Sequence, residues 1–174
     1  SNPSLGRVNF SADSGGTVVL AGLSAGPAVN LGVTDAGSTL QLRGDLALRN
    51  GSTLTVVNGG RLDLAGSFTF EQQTASQVDI DSGIVDFRAA RATLEVGGRD
   101  RGLPVDPMGN NFALGRLEVG TGAAPVLLTL ADAVNNDQSA AADVLYLNGL
   151  DGGTGLRILG GSTLALNGLT LYLN

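Results

Sequence analysis

One short pattern returns along this chain: Gly37-Ser38-Thr39-Leu40-Gln41-Leu42, Gly51-Ser52-Thr53-Leu54-Thr55-Val56 and Gly161-Ser162-Thr163-Leu164-Ala165-Leu166. A second alternating run follows each copy, at Leu46-Ala47-Leu48, Leu62-Asp63-Leu64 and Leu169-Thr170-Leu171. Weaker copies lie at Gln77 to Asp81, Thr93 to Val96, Arg116 to Val119 and Val144 to Leu147. Alternation with a period of two places Leu40, Leu42, Val78 and Ile80 on one face of a strand, with Gln41, Asp79 and Asp81 on the other. On the same reading Leu40, Leu42, Leu54, Val56, Leu62, Leu64, Leu164 and Leu166 are expected to be buried, and Gln41, Thr55 and Asp63 exposed. No segment repeats as well at helical spacing, so the sequence reads as all-β.

Strands of three to five residues cannot bury their apolar face alone. Stacked as successive coils they share one aliphatic column, which is the logic of a β-solenoid, or parallel β-helix. At roughly 20–25 residues per coil, the chain accommodates about seven coils in a single domain spanning residues 1–174. An antiparallel sandwich or meander is the rival, because Asn-Gly at positions 50, 58, 148 and 167 is a strong hairpin signal. The same dipeptide also suits left-handed corners. Two stretches break the pattern. Residues 97–111 contain Pro104 and Pro107, which cannot donate to a ladder, and are expected to project as a loop insertion. Residues 131–143 have poor β character and suit a second insertion with room for a short helical turn.

Composition narrows the chemistry. Aromatic residues are 4% of the chain against 43% apolar residues overall, so the core must be aliphatic. His and Cys are absent, which removes Ser–His–Asp and Cys–His nucleophile systems and the usual zinc, haem and iron–sulfur ligand sets. The net charge of −6 and pI of 4.4 lack the basic stripe that nucleic-acid binding needs. The longest apolar run, about Val126 to Ala131, is too short to insert into a membrane. An opening of Ser1-Asn2-Pro3 without Met fits a mature or trimmed product of an exported chain.

The units GSTLQLRGDLALRNGSTLTVVNGGRLDLAG and GSTLALNGLTLYL resemble the β-strand repeats of large bacterial surface proteins, autotransporter-like passengers and planctomycete-type repeats among them. The resemblance covers most of the chain outside the two irregular stretches. It implies a β-solenoid that is extracellular or at the cell surface, with a role in adhesion, coating or matrix building and no catalytic residues.

Acidic side chains are the one conventional catalytic group present in number. Asp79, Asp81 and Asp86 are close in sequence, and Asp63, Glu95 and Glu118 are expected to point outward from strands, where paired carboxylates act as acid and base in carbohydrate-active enzymes. Outward strand positions are polar for solubility in any case, and the chain is read as a non-enzyme with no catalytic, cofactor or metal residues. Asp13, Asp35, Asp137 and Asp151 sit in turn-like contexts that suit calcium, but turn chemistry alone explains them. Arg43-Gly44-Asp45 spells an integrin-type tripeptide within a turn. Asn9-Phe10-Ser11 and Asn50-Gly51-Ser52 match the glycan-acceptor pattern, which makes Asn9 and Asn50 the glycosylation positions.

The partner expected first is a second copy. The strand pattern continues through Leu169, Leu171 and Leu173, and Val8 and Phe10 belong to an alternating stretch suited to strand addition, so head-to-tail growth into a filament follows. The alternative is an adhesion module that binds extracellular glycans through its exterior sheet and loops, although few aromatics are present for that purpose.

Overall fold

The computed structural model describes residues 8–25, 29–103, 110–120, 124–150 and 152–174. The strands come in a recurring order. First are β1 (Val8–Ala12), β2 (Thr17–Leu20) and β3 (Leu23–Ala25), then β4 (Val29–Val33), β5 (Thr39–Leu42) and β6 (Leu46–Leu48). β7 (Thr53–Val56), β8 (Arg61–Leu64) and β9 (Phe68–Phe70) repeat the order. After a 3-10 turn at Ala75–Gln77 come the long β10 (Val78–Phe87) with β11 (Arg91–Glu95), then β12 (Leu114–Val119) with β13 (Leu127–Ala131). β14 (Leu145–Leu147), β15 (Leu156–Ile158), β16 (Thr163–Ala165) and β17 (Leu171–Leu173) follow. The described residues contain no α-helix.

Every pairing between named strands is parallel, and the strands fall into three ladders. The first runs β1-β4-β7-β10-β12-β14-β17. The second runs β2-β5-β8-β10-β12-β15, and the third β3-β6-β9-β11-β13-β16. β10 and β12 turn the corner between the first two ladders without a break, which joins these into one eleven-stranded sheet beside a six-stranded one. Equivalent positions recur after 21 to 24 residues early in the chain and after 32 to 39 where the irregular stretches intervene. The fold is therefore all-β and parallel.

Register explains the core. Leu40, Leu62, Val85 and Leu117 occupy one column, and Leu42, Leu64, Phe87 and Val119 a second. All eight are buried in one cluster with Leu31, Leu54, Leu94 and Leu128. Burying a side chain of this kind contributes about 1.5–3 kcal/mol, so the column is the main source of stability. Phe68, Phe70 and Phe112 fill its wider part, with ring centroids 5.5 and 5.4 Å apart along the series. At the first corner the backbones of successive strands pass close together: a Cβ on Gly83 would collide with the Val56 carbonyl oxygen, and one on Gly60 would lie 2.9 Å from that of Val33.

The strand pairing decides between the two Asn-Gly readings and corrects several expectations. Asn-Gly makes no hairpin here: β7 and β8 flank Asn58-Gly59, yet each pairs with strands from other parts of the chain. Asn58 (φ 53°) and Gly59 (φ 75°) instead form a left-handed corner, as do Asn167 and Gly168. Leu164 is only half-buried and Leu166 is exposed at 38%, because β16 ends its ladder with a neighbour on one side alone. Gln41 and Thr55 are half-buried rather than exposed, and Asp63 is buried. Residues 97–103 are not a free projection. Gly97, Gly98 and Asn111 are buried, Gly98 bridges to Val144 in antiparallel fashion, and Tyr146 Oη accepts the Arg101 N–H at 2.8 Å while donating to the Gly102 carbonyl. The middle of that insertion, 104–109, lies outside the described residues. Residues 132–143 contain no helical turn.

Leu62→Ala should cost about 2–5 kcal/mol in denaturant unfolding, because Leu62 is fully buried in the central column. Leu166→Ala should change stability by less than about 0.5 kcal/mol.

Candidate functional site

The densest group of charged side chains lies on the outer face of the second ladder. Register places Gln41, Asp63, Asp86, Glu118 and Arg157 on consecutive strands at the same outward position. Strands in a sheet are about 4.8 Å apart, so three carboxylates in a row repel one another strongly unless cations neutralise them. Arginines do so. Arg61, two residues before Asp63 and so on the same face, places Nη1 3.1 Å from Asp86 Oδ2, 3.0 Å from Glu118 Oε2 and 3.7 Å from Asp63 Oδ1. Arg88 closes the other side, with Nη2 2.7 Å from Asp63 Oδ2 and Nε 3.0 Å from Asp86 Oδ2. Arg157 Nη1 lies 3.1 Å from Glu118 Oε1, with Arg116 at 4.0 Å. A guanidinium, permanently charged and with several N–H donors in a planar fork, suits contacts to carboxylates on more than one strand.

The cover is tight enough to change the acids. Asp63, Asp86 and Glu118 are all about 95% or more buried. Burial pushes the Asp63 and Asp86 carboxyls above the usual range, and their arginines offset this only in part. Burial also opposes the charge on Arg61, but Glu118, Asp63 and Asp86 outweigh it and raise its pKa. A hydrolytic pair needs carboxylates open to a substrate and to water. These are committed to arginines, so the column's evident work is to hold successive strands together across the outer face.

The remaining acids are dispersed. Glu95, on the outward face of β11, is buried, and its Oε1 accepts the N–H groups of Ala133 and Val134 at 2.9 and 2.8 Å. Asp79 and Asp81 border a recess of about 230 Å³ together with Ser76 and Asn110, below the size usual for small-molecule sites. Burial first, then Asp79, raises the Asp81 carboxyl. Asp35 Oδ2 accepts the Ser14 N–H, and the Asp13 carbonyl accepts that of Gly16, both as turn contacts. Asp151 lies outside the described residues. No group of three or more acidic side chains among the described residues is arranged to hold a metal ion. In Arg43-Gly44-Asp45 the Asp45 carboxylate accepts the Ser67 N–H at 2.7 Å, and a Cβ on Gly44 would touch the Ala21 carbonyl, so the tripeptide is built into a corner.

Asn9 is exposed on β1, where its Oδ1 accepts from Asn30 Nδ2 at 2.7 Å, and Asn50 is exposed at a turn. Among the assembly positions, Val8 and Leu173 are 49% and 52% exposed, while Phe10, Leu169 and Leu171 are half-buried against the core. Tyr146 is buried, with Tyr172 stacked on it at 4.8 Å, so the described aromatic rings open to solvent are parts of Phe10 and Tyr172.

Two features escaped the sequence reading. The arginine cover had a readable signal: aligning the repeats by register puts Gln41, Asp63 and Asp86 in one column with Arg61 beside them. The second is a buried amide chain. Gln72 Nε2 donates to the Arg49 and Ser52 carbonyls at 2.9 and 3.2 Å, and Asn136 Nδ2 to the Phe70 and Gln72 carbonyls at 3.2 and 2.8 Å. It joins residues 20 to 66 positions apart and leaves no local pattern. No protein-family model matches the chain, and no curated protein or solved structure matches it either.

Arg61→Gln leaves three buried carboxylates short of a partner. It should destabilise the protein by about 3 kcal/mol near neutral pH, the low end for such pairs because the Arg61 side chain is 27% open to water. The Asp63 and Asp86 carboxyls already bind protons more readily folded than unfolded, so their contribution to stability declines as pH rises above the ordinary carboxylate value of about 4. Denaturant unfolding should therefore show a smaller deficit at about pH 4.5 than at about pH 8.

Proposed function

We propose that the chain forms a parallel β-solenoid of about seven coils with a structural role outside the cell, and that copies associate head to tail into a filament or matrix. The three parallel ladders and their recurring strand order support the solenoid reading. The repeats' resemblance to bacterial surface proteins supports display at the cell surface, and the acids' commitment to arginines favours scaffolding over catalysis.

One observation carries the assembly reading. Six large hydrophobic residues are exposed among those described: Val8, Val19, Leu103, Ile158, Leu166 and Leu173. Five of these lie on or directly beside the strands that end the ladders, namely β1 and β2 at one end and β15, β16 and β17 at the other. β1 and β17 are opposite ends of the same ladder, β2 and β15 of the second, and β3 and β16 of the third. A second copy set on the first by simple translation continues all three ladders in parallel. Main-chain hydrogen bonds and the apolar rims then act together, and such a heterologous contact propagates.

Sedimentation velocity and electron microscopy over a concentration series test this directly. The expected result is concentration-dependent rods with an axial repeat of about 35 Å, seven strand spacings, which are lost in Leu173→Asp. A protein that stays monomeric at high concentration contradicts the proposal.

A further inference from the structure

Residues 132–143 cross the outer face near β9 and β11, held by a group of acids that the reading above does not use. Asp143 is 1% exposed. Its Oδ2 accepts the Asn136 N–H at 3.1 Å, and its own N–H donates to Asp132 Oδ2 at 3.1 Å. Asp137 Oδ1 accepts the Ser139 N–H at 2.6 Å. The other oxygen of each residue, Asp143 Oδ1 and Asp137 Oδ2, is buried with no hydrogen-bond donor. Arg99, the cation paired with this group among the described residues, lies 3.7 Å from Asp137 Oδ2, beyond hydrogen-bond range. The Asp137 and Asp143 carboxyls are within side-chain hydrogen-bonding reach of each other, and two acceptors so placed in a buried site cannot both be satisfied unless a proton lies between them.

We propose that Asp137 and Asp143 share one proton, and that this proton fastens residues 132–143 onto the sheet as a clasp that loosens when the proton is lost. Asn136 is the tongue. It is fully buried, donates through its side chain to the Phe70 and Gln72 carbonyls, and donates through its backbone to the Asp143 carboxyl. Ionising Asp143 sets a second negative charge against Asp137 and beside Asp132, and no cation moves in to compensate. Glu95, on β11, adds a further acid close to Asp132, and Gln72, on the β9 side, is uncharged. Burial pushes the Asp143 carboxyl up to about 7, with Asp137 and Asp132 adding to the effect against the Asn136 N–H. Burial also resists the charge on Asp137, but Ser139, Asp143 and Arg99 overcome it and hold its carboxyl below the usual value.

The sign follows from linkage. The clasped state binds a proton that the open state, with an ordinary carboxyl near 4, releases. The clasp is therefore firmest in acid and weakens as pH rises from about 4 through about 7.

Amide hydrogen exchange on the full chain, corrected for intrinsic base catalysis, tests this between about pH 5 and pH 8. The Asn136 and Asp143 amides should lose up to about tenfold protection per pH unit until about pH 7, the limit for one proton, while those of β4, which has no titratable side chain, keep theirs. Asp143→Asn keeps an acceptor for Asn136 and a permanent donor toward Asp137, so its protection should be high and independent of pH. If that variant does not fold, Asp137→Asn decides: its amide is a permanent donor toward Asp143 and one negative charge is gone, so the slope should level off at a lower pH while burial still opposes the Asp143 charge. Glu95→Gln should keep it. Protection that is independent of pH in the unaltered protein overturns the proposal. So does a slope that persists in a folded Asp143 variant, one that levels off at the same pH in a folded Asp137 variant, or one that vanishes with Glu95→Gln.

Discussion

Everything in this protein depends on like residues stacking on like across parallel strands. With register offsets of 21 to 24 residues over the first part of the chain, each inward Leu, Val or Phe meets its counterpart on the next strand, and the backbone ladder and apolar column form together. Neither suffices alone. Strands of three to five residues have too few hydrogen bonds and too little apolar surface to stand by themselves. A shift of one residue would turn the whole apolar set outward, so alternation and register specify each other.

The same rule creates the main electrostatic problem and shapes its answer. Stacking like on like inside concentrates aliphatic groups, but outside it places Asp63, Asp86 and Glu118 on successive strands. Repulsion among these would splay the strands that the core draws together. Arg61 and Arg88 resolve it by spanning strands, so the outer face becomes a second set of ties across the ladder. Where no arginine reaches hydrogen-bond distance, at Asp137 and Asp143, a shared proton takes that place in the account proposed here. Acids in a parallel stack thus need partners from neighbouring strands, and whether the partner is an arginine or a proton decides whether the contact responds to pH.

Much of the fold was legible from the residues. The alternation at Thr39 to Leu42, Thr53 to Val56 and Thr163 to Ala165 marks three strands where they occur, and Leu62 and Leu64 are buried as the pattern requires. Departures arise where the outcome depends on neighbours distant in sequence. Asp63 alternates as an outward residue and does point away from the core, but Arg61 of its own strand and Arg88, just after β10, cover it. Leu166 has the same pattern as the buried Val56, yet it follows a strand that ends its ladder. Asn58-Gly59 and Asn167-Gly168 supply the left-handed geometry a hairpin would need, and local sequence cannot distinguish that from a corner. The charged outer column was less legible than the core, because its members are 22 or more residues apart and gain meaning only once register is known.

Parallel stacking in this register can be tested with paired cysteines, since the chain has none of its own. Leu127 and Thr163 face each other on β13 and β16, whereas an antiparallel hairpin at Asn167-Gly168 would set Thr163 opposite Tyr172. Cross-linking of Leu127→Cys with Thr163→Cys by a short bis-thiol reagent should be fast, and that of Thr163→Cys with Tyr172→Cys slow. The opposite order of rates would contradict the parallel register and the account that rests on it.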